Sequence, residues 1–188
     1  MEQIEIEDIA YVRFSAPDLG VMRGFLEDFG LRCAEYDGRL YSRGWDGRPF
    51  SHVTELGPAG FRGLGLRAPS LESLARVAAV ENGRLEAVSS PGGGQVLRLS
   101  DPDGFLLEVI AGQSASQSEI EDASLPCNMT GHRLRVGRRP VSQPRPSRVV
   151  RLGHVGLGVT DLRRSERWYK DRFGLLVSDQ VEIKPGEV

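Results

Sequence analysis

A chain of 188 residues has room for one domain, or for one domain and part of another. Its 39% hydrophobic and 27% charged residues describe an ordinary water-facing protein with a modest core. The formal net charge of −2 excludes the global basic field that holds nucleic acid, and no apolar run nears the roughly 20 residues that cross a bilayer. Neither nucleic acid nor a membrane is therefore an expected partner.

Two cysteines, Cys33 and Cys127, are too few for a disulfide framework, and reduced thiols in the cytoplasm are the default. The acidic start, residues 1–8, lacks the cationic, apolar pattern of a signal peptide, which supports the same location.

In chain order, Ile9 to Ser15 alternates as a strand does. Asp18 caps a helix on which Leu19, Met22, Phe25, Leu26 and Phe29 are expected to form the buried face, up to a stop at Gly30. Three strands follow, at 31–36, 39–43 and 50–56, with Asp37-Gly38 and Asp46-Gly47 as hairpin turns. The pattern then restarts. A strand at 62–68 leads to a helix capped by Ser70, with Leu71, Leu74, Val77, Ala78 and, at its end, Val80 on the expected buried face. Strands at 85–88, 95–99 and 105–110 complete a second copy. The triplet Gly92-Gly93-Gly94 precedes a strand pattern rather than a helix, so it reads as a hairpin connection and not a phosphate loop.

From 113 to 147 the composition turns polar, acidic, then proline-rich and basic, which describes a linker. A third copy then opens. Val149 to Val159 is its expected strand, Asp161-Leu162 its helix start, and Trp168, Tyr169 and Phe173 the apolar face of that helix. Strands at 175–180 and 181–188 are expected after it. The three copies align through Ala16-Pro17-Asp18-Leu19, Ala68-Pro69-Ser70-Leu71 and Val159-Thr160-Asp161-Leu162. This places Tyr11, Gly63 and His154 at one strand position. The expected fold is α+β, with paired βαβββ units forming one complete domain at 1–112, a linker at 113–147, and at 148–188 the incomplete start of a second, catalytic-type domain.

The βαβββ repeat, the Leu152-Gly153-His154-Val155 start, the end Phe173-Gly174-Leu175, and Asp101-Pro102-Asp103-Gly104 followed by Glu108 resemble the vicinal oxygen chelate superfamily. That superfamily contains glyoxalase I, bleomycin-resistance proteins and type I extradiol dioxygenases. The two-domain layout bridged by a proline-rich linker is most similar to the last group. The resemblance implies iron(II)-dependent cleavage of a catechol-type aromatic ring, at a metal held by two histidines and one glutamate on the first strand of one unit and the first and last strands of its partner. Such a facial triad leaves open positions for substrate and dioxygen.

Carried onto this chain, the first domain offers Tyr11, Gly63 and Glu108. A glycine cannot ligate and tyrosine is an uncommon iron(II) ligand, so this domain is expected to be metal-free, with Glu108 a weak candidate ligand that reads better as a paired or hydrated carboxylate. His52 falls on the strand that bears an acid–base histidine in the catalytic domain of such enzymes. Without a metal beside it, a structural hydrogen-bonding role is the plainer reading. His154 is a candidate iron ligand whose two companions, by the repeat, fall about 52 and 97 residues downstream, past Val188. Fe(II) is thus implied for a complete protein, while this chain, read as C-terminally truncated, is expected to bind none and to be inactive. His132 reads as a surface residue, and Asp101 and Asp103 as Asx-turn carboxylates. Two rival readings stand beside the dioxygenase one: a metal-free binding or dimerisation module for a small aromatic molecule, in which a homo-oligomer is an open arrangement, and a glyoxalase-like isomerase.

Overall fold

The computed structural model describes residues 6–119 and 147–179. Its order is β1 (Asp8–Ala16), α1 (Leu19–Phe29), β2 (Arg32–Tyr36), β3 (Arg39–Arg43), β4 (His52–Leu56), β5 (Gly60–Arg67), α2 (Leu71–Val80), β6 (Leu85–Ala87), β7 (Gln95–Ser100), β8 (Leu106–Ala111) and α3 (Leu162–Phe173). The strands form one eight-stranded sheet in the order β2-β3-β4-β1-β5-β8-β7-β6. Each half is one βαβββ unit, and the two join where β1 pairs antiparallel with β5. The expected units are present, but their sheets are mixed rather than antiparallel: β1 runs parallel to β4, and β5 parallel to β8. The helix after each first strand supplies the crossover that parallel pairing needs.

Local chemistry sets the boundaries. The Asp18 side chain accepts the Gly20 and Val21 N–H groups at 2.7 and 3.0 Å, Ser70 accepts that of Ser73 at 3.0 Å, and Asp161 accepts that of Arg164 at 3.0 Å. Gly30 ends α1 at φ 110°, the left-handed conformation that glycine adopts without a Cβ penalty. Asp37 and Gly38, both at positive φ, make the tight β2–β3 turn. Asp46-Gly47, by contrast, belongs to the eight-residue loop 44–51, because β3 ends at Arg43 and β4 begins only at His52. The glycine triplet lies between β6 and β7 with all three φ values positive.

Direct cross-strand partners share a face, so the register sorts the side chains. One row, Cys33, Ser42, His52, Val12, Leu64, Leu107 and Leu99, marks the face covered by the helices. Here Leu64, Leu66, Leu74, Val77, Leu97, Leu107 and Val109 form the main core, joined by Phe173 from α3. Burying each such side chain contributes about 1.5–3 kcal/mol before entropy is counted. The other face carries Tyr11, Tyr41, Phe50, Val53, Val96 and Ile110.

Several elements depart from expectation. In α2, Leu71 and Val80 are exposed, and Ser73 is buried with Leu74, Val77 and Ala78. In α1 only Leu26 is buried, while Val21, Phe25 and Phe29 are 72%, 61% and 58% exposed. At 100° per residue those three form a stripe beside the Leu19–Met22–Leu26 arc, and the helix turns the latter to the sheet. Residues 149–159 form no strand, since a strand requires a ladder partner; Val149 and Val150 bond instead to the loop 44–51. The Trp45 N–H donates to the Val149 and Val150 carbonyls at 3.1 Å, and the Val149 N–H to the Gly30 carbonyl at 3.2 Å. No strand follows α3 through residue 179. The expectations at 181–188, at Cys127, at His132 and across the proline-rich stretch lie outside the described residues. The described part of the linker, 113–119, lies against the first domain, with the Ser114 N–H on the Gly92 carbonyl and the Ser116 N–H on that of Gly47, both at 2.8 Å.

Candidate functional site

The family resemblance implies Tyr11, Gly63 and Glu108 as the ligand positions of the first domain, and all three lie on the face away from the helices. Gly65 rather than Gly63 stands opposite Tyr11, and Glu108 lies beside Gly65. Arg98 is next in the row. Gly63 faces Arg13 and Leu106, and a Cβ there would sit 2.3 Å from the Leu106 carbonyl oxygen, so no ligating side chain fits. A Cβ on Gly65 would meet the Tyr11 ring at 2.5 Å. The two glycines therefore make room for close backbone packing and for the tyrosine ring, which fills the place.

Glu108 is 2% exposed and its carboxylate is fully engaged. Oε2 accepts from the Tyr11 hydroxyl at 2.9 Å and from Arg13 Nη1 at 3.0 Å, and Oε1 accepts from Arg98 Nε at 3.0 Å. Arg13 bonds Glu55 and Arg98 bonds Glu86, which extends the row into an alternating chain of charges across the sheet. Burial works against the Arg13 charge, but Glu108 and Glu55 outweigh it and raise its pKa. Burial and the neighbouring Glu108 push the Tyr11 hydroxyl well above its ordinary value, so it remains a protonated donor. A metal ion here would have to displace two guanidinium groups and a phenol. These residues do not fit iron(II).

His52 lies on the opposite face, in the row of Val12 and Ser42. Its ring stacks on Phe14, centroid to centroid 5.3 Å and 2° from parallel, and its Nδ1 lies 3.3 Å from Thr54 Oγ1. Burial lowers its pKa to about 4, so it is neutral near pH 7. The sheet separates it from Glu108, and the two cannot act together.

His154 is exposed. It lines a groove of about 250 Å³ between Leu64 and Leu66 of β5, α3 and residues 175–179. Glu166 borders the same groove, with its carboxylate on Lys170 at 2.6 Å. Among the described residues no three His, Cys, Asp or Glu side chains converge closely enough to hold a metal. None of the described helices is long and apolar enough to cross a membrane.

Sequence reasoning missed the role of the turn before β8. Asp101 Oδ1 accepts the Asp103 and Phe105 N–H groups at 2.9 and 2.8 Å, which is the Asx geometry the motif suggests. Its Oδ2 accepts the Tyr169 hydroxyl of α3 at 3.0 Å, and Asp103 turns its carboxylate toward the start of α3. The only sequence signal was an acidic turn in one unit and a run of hydroxyl and arginine residues in another.

No family model matches the chain. It is 30% identical to Metapyrocatechase 2 of Cupriavidus necator, over 94% of this chain and 55% of that relative. Among solved structures, a homoprotocatechuate 2,3-dioxygenase from Brevibacterium fuscum (E323L mutant) aligns at a TM-score of 0.68 and 21% identity, over 90% of this chain and 45% of that one. The Mn(II)-bound glyoxalase from Novosphingobium aromaticivorans aligns at 0.55 and 18% identity, over 63% of this chain and 43% of that one. The chain spans about half the length of the relatives it matches. With two βαβββ units joined through β1 and β5, it has the fold of the vicinal oxygen chelate superfamily, and its similarity within that fold is to extradiol dioxygenases.

Proposed function

We propose that this chain is part of an extradiol ring-cleaving dioxygenase acting on a catechol-type aromatic. Residues 1–112 are its metal-free domain, and His154 is one iron(II) ligand of the catalytic domain. The observation that carries this reading is the similarity to Metapyrocatechase 2 along nearly the whole chain. The first domain then works as a scaffold, because its ligand positions hold a Tyr11–Glu108–Arg13–Arg98 network with no open coordination site. In the complete protein His154 would be one of the residues that hold the iron, which would supply Lewis acidity toward a catecholate-type substrate. Among the described residues only His154 would touch the iron.

Two measurements test this. A protein extended past Val188 should supply a His and a Glu about 52 and 97 residues after His154. It should take up one iron per chain under anaerobic reconstitution and consume oxygen when catechol is added. Loss of iron in His154→Ala is expected. Full iron content in that variant removes His154 from the site. Stoichiometric iron and catechol-dependent oxygen uptake by the 188-residue chain itself would overturn the assignment of its first domain as metal-free.

A further inference from the structure

The charge of the chain is divided unevenly. Residues 1–126 hold 11 basic and 20 acidic side chains, and residues 127–188 hold 13 and 6. The structure brings the two signs together. Arg151 pairs with Asp8 at 3.2 Å, Arg164 with Asp103 at 3.0 Å and Arg172 with Glu81 at 2.9 Å, and in each the acid is on the first domain. Asp103 is the most engaged of these acids, with its side chain 6% exposed. Its Oδ1 accepts from the Thr160 N–H at 3.3 Å, from the Thr160 hydroxyl and from Arg164, and its Oδ2 accepts from Ser165 Oγ at 3.2 Å. These donors come from the entrance to α3, six residues or more after His154. Tyr169 on Asp101 and Phe173 in the main core hold the rest of the helix. At the other end of the His154 segment, the Val149 and Val150 carbonyls accept from Trp45, and Arg151 reaches Asp8.

We infer that the metal-free domain positions the His154 segment, with Asp103 and Asp8 as positioning residues that clamp it at its two ends. Residues 151–159 have no sheet partner of their own; Val155 packs against the main core, and these polar contacts fix the segment at its two ends, on either side of His154. That the position matters for iron rests on the function proposed above. The clamp itself does not.

The experiment compares the full chain with Asp103→Asn, with Asp8→Asn and with Val53→Ala, a variant in the separate core of the face without helices, away from α3. Two quantities are read: amide hydrogen exchange in 151–173 relative to β1 and β5, and the NMR resonance of the His154 ring. Exchange at least tenfold faster in 151–173, with a shifted His154 resonance, is expected in both aspartate variants and not in Val53→Ala. Raising sodium chloride from 0.05 to 1 M should loosen the same segment selectively in the unmodified chain, a readout that remains if a variant fails to fold. Unchanged exchange and resonance in the aspartate variants, the same changes in Val53→Ala, or no salt effect on the segment overturns the inference. In an extended, iron-loaded protein, iron lost on His154→Ala but retained at reduced affinity in Asp103→Asn supports both claims. Iron retained in His154→Ala removes the functional reading and leaves the clamp to be judged by exchange and NMR alone.

Discussion

The Tyr11 hydroxyl donates to Glu108 Oε2 at 2.9 Å, joining the first strand of one unit to the last strand of the other across 97 residues of sequence. With Arg13 and Arg98 on the same carboxylate, this contact ties the two halves of the sheet on the face without helices. Tyr11→Phe leaves Glu108 its two guanidinium partners and should cost about 1–2 kcal/mol. Glu108→Gln leaves Arg13 buried beside a neutral group and should cost about 3 kcal/mol. Urea denaturation of the two variants checks the order, and an equal loss would deny that the charge matters.

Gly65 is small because the Tyr11 ring lies over it. Gly65→Ala should destabilise by about 1–3 kcal/mol through overpacking. In a Tyr11→Leu background the same substitution should cost about 1 kcal/mol less, since the two residues are in contact. A double-mutant cycle measured by denaturation gives the coupling. Strict additivity would mean that the ring and the glycine do not constrain each other.

His52 gives the protein an acid-side sensitivity. Its pKa is about 4 when folded against an ordinary 6.5, so the unfolded chain binds the extra proton between those values. The contribution is fully present above pH 6.5 and is lost as the pH falls toward 4, by about 3 kcal/mol over the window. The groups around the ring, Phe14, Val12, Ser42 and Thr54, do not titrate there. The slope of stability against pH between 6.5 and 4 should therefore flatten in His52→Phe. An unchanged slope would mean that His52 is protonated in the folded protein.

Phe25 and Phe29 read as core residues in sequence and are exposed in the structure, their rings stacked 6.1 Å apart. Phe25→Ser and Phe29→Ser should each shift stability by under about 1 kcal/mol, whereas Leu26→Ala should cost about 2–4 kcal/mol. Thermal unfolding of the three variants separates the two faces of α1. A loss in Phe25→Ser as large as in Leu26→Ala would mean that the stripe is covered in solution.

Sequence by itself determined the elements that rest on local chemistry: three capped helices, the glycine that ends α1, the turns at Asp37-Gly38 and after β6, and the two βαβββ units. Caps, positive-φ turns and apolar period act within a few residues, so they are legible in one dimension. Only the tertiary structure decided that Glu108 is occupied by Tyr11, Arg13 and Arg98, that His52 faces away from it, that α1 turns Leu26 inward rather than Phe25, and that residues 149–159 join no sheet, with Val149 and Val150 bonded to a loop. Each of these depends on which distant strand or helix lies alongside, and a carboxylate's role is set by the donors that reach it across the sheet.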